Sequence, residues 1–321
     1  FSNEKNNLKM KKTILITGSF GFLGGRLSQY LSDDYNVILG TRSNQDAPNW
    51  LPEAKVFKID WDSERSLNAA CESVDIIIHA SGLNAQECSN SPEKALLVNG
   101  VFTQNLVKAA VNQSVKKIIY LSTAHVYSGS LIGVIAEDTP TINTHPYATS
   151  HVAGEESVLT AVSQGNIEGS VVRIANAFGS PVSKSANCWM LLVNDLCKQA
   201  VVERSLKLHS NSEVVRDFVT INDFCSAMKF LIEDKSAGGV VNIGSGKVCT
   251  IGEMASRIQN NCLGVLGFKP PILLENKSLI KKRLLDFKTN YLDNAGFKFA
   301  NNFDTEIKEL IRFCLKSKDQ C

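Results

Sequence analysis

Three side chains in the middle of the chain could together transfer a proton at a carbon-bound oxygen. Thr123 follows an apolar run, and Tyr147 and His151 lie four positions apart in a stretch with helical spacing of apolar residues. Positions i and i+4 share one face of a helix, so both side chains can face the same cleft. Hydride chemistry at an alcohol or ketone needs a proton donor and acceptor, a hydroxyl that orients the oxygen, and a cation that eases phenolate formation. We therefore predict that Thr123, Tyr147 and His151 are the catalytic residues.

A glycine-rich segment near the start of the chain is typical of a pyrophosphate site. It reads Thr17-Gly18-Ser19-Phe20-Gly21-Phe22-Leu23-Gly24, between a predicted strand and a predicted helix. Glycine permits a tight turn and a close approach of backbone to phosphate, and the helix N-terminus supplies N–H donors. Glycine also occurs in such turns for structural reasons. The strand before the segment and the helix after it are what indicate a bound dinucleotide.

The residues after the second predicted strand bear on which nicotinamide cofactor is bound. An NAD-preferring enzyme usually has an acidic residue there, which accepts from the ribose 2′-hydroxyl. This chain has Thr41 and Arg42 instead. Either Arg42 binds a 2′-phosphate, which favours NADP(H) over NAD(H), or it is a solvated loop residue. After the third predicted strand, Asp60 and Trp61 resemble in position the residues that bracket the adenine in dinucleotide-binding enzymes of this type; Asp60 could equally begin a helix.

The elements that must position these residues alternate between short apolar runs and longer stretches with helical spacing. The pattern predicts six strands, at residues 13–17, 36–39, 55–59, 75–79, 117–122 and 169–174. It predicts helices at residues 23–32, 63–70, 92–112 and 147–164. Such alternation is typical of βαβ units, and it predicts an α/β fold with a doubly wound parallel sheet.

Beyond about residue 178 this alternation loosens. An apolar helix is predicted near residues 188–200, and no linker or repeat separates two independent domains. We expect a dinucleotide-binding domain at residues 10–178, to which residues 217–246 return. Residues 179–216 and 247–321 are expected to form a smaller C-terminal substrate-binding lobe. Residues 1–9 precede Met10 and are expected to be a leader or tag-like extension.

Composition excludes several functional classes. The 321 residues are 44% hydrophobic and carry a formal net charge of +2 at pH 7, which favours a globular protein without a nucleic-acid partner. The apolar runs are shorter than the ~18 residues of a membrane helix, so no membrane partner is expected. Nine scattered cysteines without CxxC pairs predict free thiols, no metal site and a cytoplasmic location.

Together these motifs resemble the extended short-chain dehydrogenases/reductases of the nucleotide-sugar epimerase/dehydratase/reductase type. The resemblance covers residues 13 to about 296 and includes the Gly-x-x-Gly-x-x-Gly spacing of the first loop. The other matching segments are His79-Ala80-Ser81-Gly82, Asn99, Ser122-Thr123 with Val126-Tyr127, Tyr147, Arg173-Ile174-Ala175-Asn176-Ala177-Phe178-Gly179, Arg216-Asp217-Phe218-Val219 with Asp223, and Asn242-Ile243-Gly244-Ser245-Gly246. It implies a Rossmann-type fold, an NAD(P) cofactor and a nucleotide-sugar substrate. It also implies a homodimer, in which helices 92–112 and 147–164 form a four-helix bundle.

The resemblance implies which residues meet each ligand. The candidate cofactor-binding residues are Gly18, Phe20, Gly21, Phe22, Leu23, Gly24, Thr41, Arg42, Asp60, Trp61, His79, Ala80, Ser81, Asn99, Leu121, Tyr147, His151 and Ile174. The candidate substrate-binding residues are Gly82, Thr123, His125, Asn176, Asn187, Trp189 and Arg216. Asn176 and Arg216 match positions that contact the diphosphate in relatives, but Arg216 could instead pair with Asp217 or Asp223. Trp189 lies where the helix of the lobe is expected to begin, and it either stacks on a base or sugar or packs in the core.

One position departs from the family pattern, which is Tyr-x-x-x-Lys. In relatives the lysine binds the nicotinamide ribose and lowers the pKa of the tyrosine, whereas this chain has His151. A histidine with an unperturbed pKa of about 6.5 is mostly neutral at pH 7. It could still bond a ribose hydroxyl and relay a proton; the alternative is a helix-surface histidine and impaired catalysis. His125 and His145 are expected near the same cleft.

The resemblance also narrows the reaction. Sugar dehydratases of the family carry Asp-Glu where this chain has Ala124 and His125, so a 4,6-dehydratase is not expected. The Thr41-Arg42 ending favours NADPH-dependent reduction of a 4-keto sugar nucleotide for surface-polysaccharide assembly. The alternatives are a nucleotide-sugar 4-epimerase with bound NAD and, because of His151, a non-catalytic dinucleotide-binding regulatory or scaffold protein.

Overall fold

The computed structural model describes residues 11–236, 238–275 and 284–318, so the expected leader at 1–9, Met10 and Cys321 lie outside the described residues. The strands are β1 (Thr13–Thr17), β2 (Asn36–Thr41), β3 (Lys55–Lys58), β4 (Ile76–His79), β5 (Lys117–Thr123), β6 (Gly133–Ile135), β7 (Glu168–Ile174), β8 (Asn176–Phe178), β9 (Leu206–Leu208), β10 (Val215–Thr220), β11 (Gly239–Ile243), β12 (Val248–Thr250), β13 (Ile272–Leu274) and β14 (Leu285–Phe287). The helices are α1 (Phe22–Leu31), α2 (Glu64–Cys71), α3 (Ala85–Asn90), α4 (Pro92–Ala95), α5 (Phe102–Asn112), α6 (Pro146–Ser163), α7 (Leu192–Val202), α8 (Ile221–Glu233), α9 (Ile251–Leu266), α10 (Asn290–Asn294) and α11 (Phe303–Lys318).

Seven strands form a central sheet in the order β11-β7-β5-β4-β1-β2-β3. Every pairing within this sheet is parallel. The six predicted strands are confirmed, with ends that differ by no more than two residues, and β11 is the seventh. The strand order reverses at β1, which pairs with both β2 and β4. In a doubly wound sheet, ligands bind beyond the carboxyl ends of the strands at this reversal.

The sheet is buried on both faces, as its nearly continuous apolar strands predict. In β1, Ile14 and Ile16 belong to one core cluster, which includes Leu27 of α1 and Phe224 of α8. Leu15 points to the opposite cluster, which includes residues of α5 and α6. The two-residue repeat of a strand therefore supplies both cores at once.

The predicted helix at residues 92–112 is confirmed in its bounds, but it contains a π-helical turn that the sequence does not predict. The chain forms α4, then a π-helical turn at Leu96–Val101, then α5. Within the turn Asn99 is fully buried, and its side-chain oxygen accepts the Leu83 N–H at 2.8 Å. A π turn accommodates one extra residue, and such turns are frequent at functional sites.

The C-terminal lobe has its own core, among α7, α9 and α11. Its first helix begins at Leu192, so the prediction that residues 187–190 begin it was wrong. These residues form turns instead, with the Cys188 N–H donated to the Ala186 carbonyl at 2.9 Å and the Leu191 N–H to the Cys188 carbonyl at 3.2 Å. The expected division into residues 179–216 and 247–321 stays a prediction.

The described residues include no membrane-spanning helix and no cluster that could bind a metal. None of the helices combines the length and the apolar character that crossing a bilayer requires. The eight described cysteines are free thiols, and no cluster of three or more metal-ligating side chains occurs among the described residues.

Candidate active site

The turn between β1 and α1 forms a cradle for an anionic group. Gly18 has a φ of +66°, and a Cβ atom there would lie 2.7 Å from the Ala80 carbonyl oxygen. The Gly21 N–H donates to the Gly18 carbonyl at 2.9 Å, and α1 starts at once with no side-chain cap. The first N–H groups of a helix have no partner within the helix, so these are available to a phosphate. The cradle therefore fits the pyrophosphate of a dinucleotide.

This cradle opens into a cleft of about 410 Å³ beyond the ends of β1, β2 and β4. The residues of the predicted cofactor set that line it are Gly18, Phe20, Gly21, Thr41, Arg42, Trp61, His79, Ala80 and Ser81. Gly82 and Asn187, which were expected at the substrate, line it too. Sequence reasoning missed Gly40, Ser43, Gln45, Leu83, Glu87, Val98 and Phe102. Since these come from separate segments, only the folded chain brings them together.

At the end of the cleft beside β2, the Thr41 hydroxyl oxygen accepts the Ser43 N–H at 3.2 Å. Arg42 is exposed, and no hydrogen bond joins it to another described residue. Trp61 forms a wall, with its ring nearly parallel to that of Phe102 at 5.8 Å between centroids. Asp60 does not line the cleft, and its carboxylate accepts the Asp62 N–H at 3.2 Å.

His79 links the glycine turn to the π turn by a chain of hydrogen bonds. Thr17 Oγ1 accepts the N–H groups of Ala80 and Ser81, so its proton points to His79 Nδ1 at 2.7 Å. On the other side, Thr103 Oγ1 donates to the Asn99 carbonyl at 2.7 Å, so it accepts from His79 Nε2 at 2.9 Å. His79 is therefore a neutral Nε2–H tautomer. Burial lowers its pKa to about 3, which agrees with this assignment.

A second cleft, of about 190 Å³, adjoins the end of β5 and is lined by Thr123 and Tyr147, whereas His151 lines neither cleft. The predicted residues of the second cleft are Phe22, Leu23, Thr123, His125, Tyr147, Ile174 and Asn176. The Thr123 oxygen accepts the His125 N–H at 3.1 Å, which leaves its proton for another acceptor. Burial raises the pKa of Tyr147, and a hydrogen bond with Thr123 works against that rise.

Of the remaining cofactor candidates, Gly24 packs against the backbone of Gly18, and Asn99 lies beside Gly82. Leu121 lies in the core of the sheet, outside both clefts.

His151 lies behind Tyr147, and the two rings meet edge to face at 4.7 Å between centroids. It is 6% exposed, so it is not a helix-surface histidine. Its Nδ1 lies 2.8 Å from the Tyr120 hydroxyl, and its Cε1 lies 3.7 Å from the place of a Cβ atom at Gly82, which lines the cofactor cleft. Burial lowers its pKa to about 4, so it is neutral at pH 7. Among the described residues that line either cleft, Arg42 is the only lysine or arginine.

The helix α6 that carries Tyr147 and His151 is held in place by a third residue on the same face, Glu155. Its carboxylate accepts from Arg173 Nη2 at 2.6 Å and from the Ser122 hydroxyl, and both partners of the ion pair are buried. Arg173 lies on β7 and Ser122 on β5, so this contact fixes α6 against the strands that end at the site.

Arg216 and Asn176 lie on the paired strands β10 and β8; Asn176 lines the second cleft, whereas Arg216 lines neither cleft. Asn176 Nδ2 donates to the Asp217 carbonyl at 2.8 Å. Arg216 forms no ion pair with Asp217 or Asp223 among the described residues; Asp217 instead accepts the Ser245 N–H, and Asp223 accepts those of Ala300 and Asn301. The Arg216 charge is therefore not neutralised by either carboxylate. The pKa of His125 is lowered to about 4, mainly by burial and to a smaller extent by the nearby positive charge of Arg216.

Trp189 and His145 line neither cleft, but His145 is hydrogen-bonded to Tyr147, which lines the second, and so lies near that cleft as expected. The Trp189 indole stacks on Phe313 of α11 at 6.2 Å and donates to the Lys184 carbonyl at 3.1 Å. His145 is the N-cap of α6, where its Nδ1 accepts the Tyr147 N–H at 3.1 Å. A larger hollow, of about 1110 Å³, lies between α9 and α11 and shares no lining residue with either cleft.

The chain is similar to known proteins in both sequence and fold. A family model described as the NAD dependent epimerase/dehydratase family matches residues 14–244. The low-salt glycan biosynthesis protein Agl12 of Haloferax volcanii is 24% identical over 73% of this chain and 77% of its own. A dTDP-6-deoxy-L-talose 4-dehydrogenase (NAD(P)(+)) of Kitasatospora kifunensis is 26% identical over 74% of this chain and 75% of its own. In fold, the chain is similar to a UDP-N-acetylglucosamine 4-epimerase from Methanobrevibacter ruminantium, with a TM-score of 0.82 and 21% identity over 96% of this chain and all of that one.

Proposed function

Because this chain belongs to the NAD dependent epimerase/dehydratase family, we propose that it is an NADPH-dependent reductase of a nucleotide-activated 4-keto sugar. When bound, the reduced nicotinamide supplies hydride to the carbonyl carbon. The Thr123 hydroxyl donates a hydrogen bond to the carbonyl oxygen, and Tyr147 transfers its phenolic proton to that oxygen. The product is an alcohol, and the phenolate recovers its proton from water.

The observation that carries this proposal is the environment of Tyr147. Burial raises the pKa of its hydroxyl, and the neutral His151 supplies no positive charge that would stabilise a phenolate. The protonated form therefore dominates at neutral pH, which suits a proton donor. Oxidation of an alcohol would need the phenolate as a base, and an epimerase needs that step in every turnover.

The preference for NADP(H) rests on the end of β2. Thr41 is the last residue of that strand and Arg42 follows it at the rim of the cofactor cleft. A guanidinium at this place can pair with a 2′-phosphate, while a ribose 2′-hydroxyl finds no carboxylate on the same turn.

The preference for a nucleotide sugar rests on Arg216 and Asn176. The Arg216 guanidinium is partly buried without a carboxylate partner among the described residues, which favours an anionic ligand such as a diphosphate. In the second cleft His125 supplies no carboxylic acid, and neither does the preceding residue, Ala124, which argues against dehydration.

A 4-epimerase with bound NAD is the second candidate. The exposure of Arg42 favours the epimerase. No described residue holds its guanidinium at the cleft, and a guanidinium that is free to move discriminates weakly between NADP(H) and NAD(H). Tightly retained NAD in the purified protein would support this candidate.

The test mixes the purified protein with NADPH and a panel of nucleotide 4-keto sugars and follows the absorbance of the reduced nicotinamide. We expect consumption with at least one sugar, and its loss in Tyr147→Phe, with NADPH binding retained. Interconversion of 4-epimers in the presence of NAD would establish the epimerase instead. NADPH binding without any turnover would support a non-catalytic dinucleotide-binding protein.

We propose that the chain forms a homodimer through α5 and α6. The adjoining π turn leaves Leu96, Leu97 and Val101 on the surface with 52, 43 and 40% exposure, an unusual concentration of apolar side chains. Light scattering after size exclusion should give twice the mass of the chain. Leu97→Asp should shift it toward the monomer, whereas Val134→Asp, at an exposed apolar residue on β6, should not; equal behaviour of both variants would contradict this interface.

A further inference from the structure

Tyr120 occupies a place that the proposed reaction does not use. It lies on β5 with no exposed surface, between the rings of His79 and His151 at centroid distances of 5.5 and 5.9 Å. Its hydroxyl is 2.8 Å from His151 Nδ1 and 3.5 Å from the Asn99 carbonyl oxygen. His151 Nδ1 and the Asn99 carbonyl oxygen can both accept the single phenolic proton. Which of them accepts it depends on the hydrogen bonds that the surrounding groups make.

The neighbouring hydrogen bonds assign that proton to His151. The Asn99 carbonyl already accepts the Thr103 hydroxyl at 2.7 Å, and its distance from Tyr120 is at the limit of a hydrogen bond. The distance of 2.8 Å from the Tyr120 hydroxyl oxygen to His151 Nδ1 is that of a strong hydrogen bond. Burial holds the pKa of Tyr120 well above its usual value, so the hydroxyl keeps its proton and remains a donor.

Because the Tyr120 hydroxyl donates to Nδ1, the position of the proton on the His151 ring is also determined. A neutral ring has one N–H, and when Nδ1 accepts, that N–H is on Nε2. Among the described residues nothing is hydrogen-bonded to Nε2. The Cε1 atom, which is bonded to both ring nitrogens, lies 3.7 Å from the place of a Cβ atom at Gly82, and Gly82 lines the cofactor cleft. The free N–H is thus next to the ring atom that approaches this cleft.

We propose that Tyr120 is a positioning residue that holds His151 as the Nε2–H tautomer, so that a neutral histidine offers a hydrogen-bond donor to a ribose hydroxyl of the bound dinucleotide. The inference rests on the proposed function only in placing a dinucleotide in this cleft. The pairing of a strand tyrosine with a helix histidine supplies one fixed donor where relatives of this type have an ammonium group.

The first test reads the tautomer directly. Histidines are labelled with ¹⁵N, and the His151 signals are assigned by their loss in His151→Asn. At pH 7 we expect a protonated Nε2 and an unprotonated Nδ1. In Tyr120→Phe both ring nitrogens should move toward the average of the two tautomers. In Tyr127→Phe, which removes another buried tyrosine hydroxyl, bonded to Asn242 at 2.7 Å, they should not move. A protonated Nδ1 in the unmodified protein, or unchanged His151 signals in Tyr120→Phe, would overturn the proposal.

The second test reads cofactor binding in two backgrounds. Tyr120→Phe should weaken NADPH binding about five-fold, the usual scale of one hydrogen bond. In the His151→Lys background the same change should have no effect, because an ammonium has no tautomers. Equal weakening in both backgrounds would mean that Tyr120 acts by packing alone. These measurements need no sugar, so loss of reductase activity with the expected tautomer would contradict the proposed function and leave this inference standing.

Discussion

At the scale of single residues, the substitution of lysine by His151 changes what Tyr147 can do. The tyrosine lies beside Thr123, as the spacing of the motifs predicts, but its neighbour on α6 is neutral. An enzyme of this kind is expected to donate a proton readily and to accept one poorly. The charge of one buried side chain is thus expected to affect which protonation state of Tyr147 is available at neutral pH.

This asymmetry predicts how the rates depend on pH. Reduction needs the protonated hydroxyl, and because the pKa of Tyr147 is raised, its rate should stay level from pH 7 to alkaline pH. Oxidation of the product needs the phenolate, so its rate should rise about ten-fold for each pH unit below that pKa. Initial rates in both directions measure this, and His151→Lys should move the oxidation profile to lower pH. An oxidation rate that is level with pH would refute the role given to Tyr147.

The choice of cofactor can be tested at Arg42. Because its charge is expected to meet only the 2′-phosphate, Arg42→Ala should weaken NADPH binding by roughly ten-fold and NADH binding hardly at all, as measured by fluorescence titration. Lys58→Ala, at an exposed cation on β3, is the control. Equal losses for the two cofactors would identify Arg42 as a solvated loop residue.

At the scale of elements, the buried pair of Glu155 and Arg173 holds α6 to β7. Glu155→Gln would leave the Arg173 charge buried without its partner, and breaking such a pair costs about 3–5 kcal/mol. Urea denaturation should show this loss in the free energy of unfolding. Glu156→Gln, at the exposed neighbour, should change it by less than about 0.5 kcal/mol. If the two variants unfold alike, the pair does not hold the helix.

The strands were predictable because each is an apolar run between turn residues, and the glycine turn because its chemistry is local. The π turn was not, since residues 92–112 keep helical spacing and contain no residue that marks the extra one. The pairing of Tyr120 with His151 was hidden for another reason. A tyrosine within the apolar run of β5 reads as core, and only the packing of α6 on that strand brings the imidazole to its hydroxyl.

At the scale of the whole molecule, Glu306 joins the lobe to the sheet domain. It lies on α11 and accepts from Asn222 Nδ2 of α8 at 2.8 Å; Asn222 in turn accepts from Arg26 of α1. Burial raises the pKa of Glu306 to about 7. The contact between the two parts of the chain therefore includes a carboxyl group that favours its neutral form.

The sign of the resulting pH effect follows from the raised pKa. The stability that the neutral carboxyl contributes is complete below the pKa of an unfolded glutamate, about 4.3, and is lost as the pH rises through 7. Glu306→Gln cannot ionise, so its free energy of unfolding relative to the unmodified protein should rise between pH 5 and pH 8, by no more than about 3 kcal/mol. Glu72→Gln, at an exposed site, should show no such trend in urea denaturation. A difference that falls with pH would contradict the buried neutral state.

The π turn at Leu96–Val101 also has a consequence for anyone who redesigns or aligns this chain. Each residue of an α-helix advances the direction of its side chain by about 100°, and the wider π turn absorbs one additional residue so that α5 continues the helix begun by α4. Forcing this segment into regular α-helical geometry while keeping the additional residue would rotate Leu106 and Ala110 out of the core. Grafts and alignments across this segment must therefore carry the extra residue at the same position, or every side chain that follows it will be assigned to the wrong face.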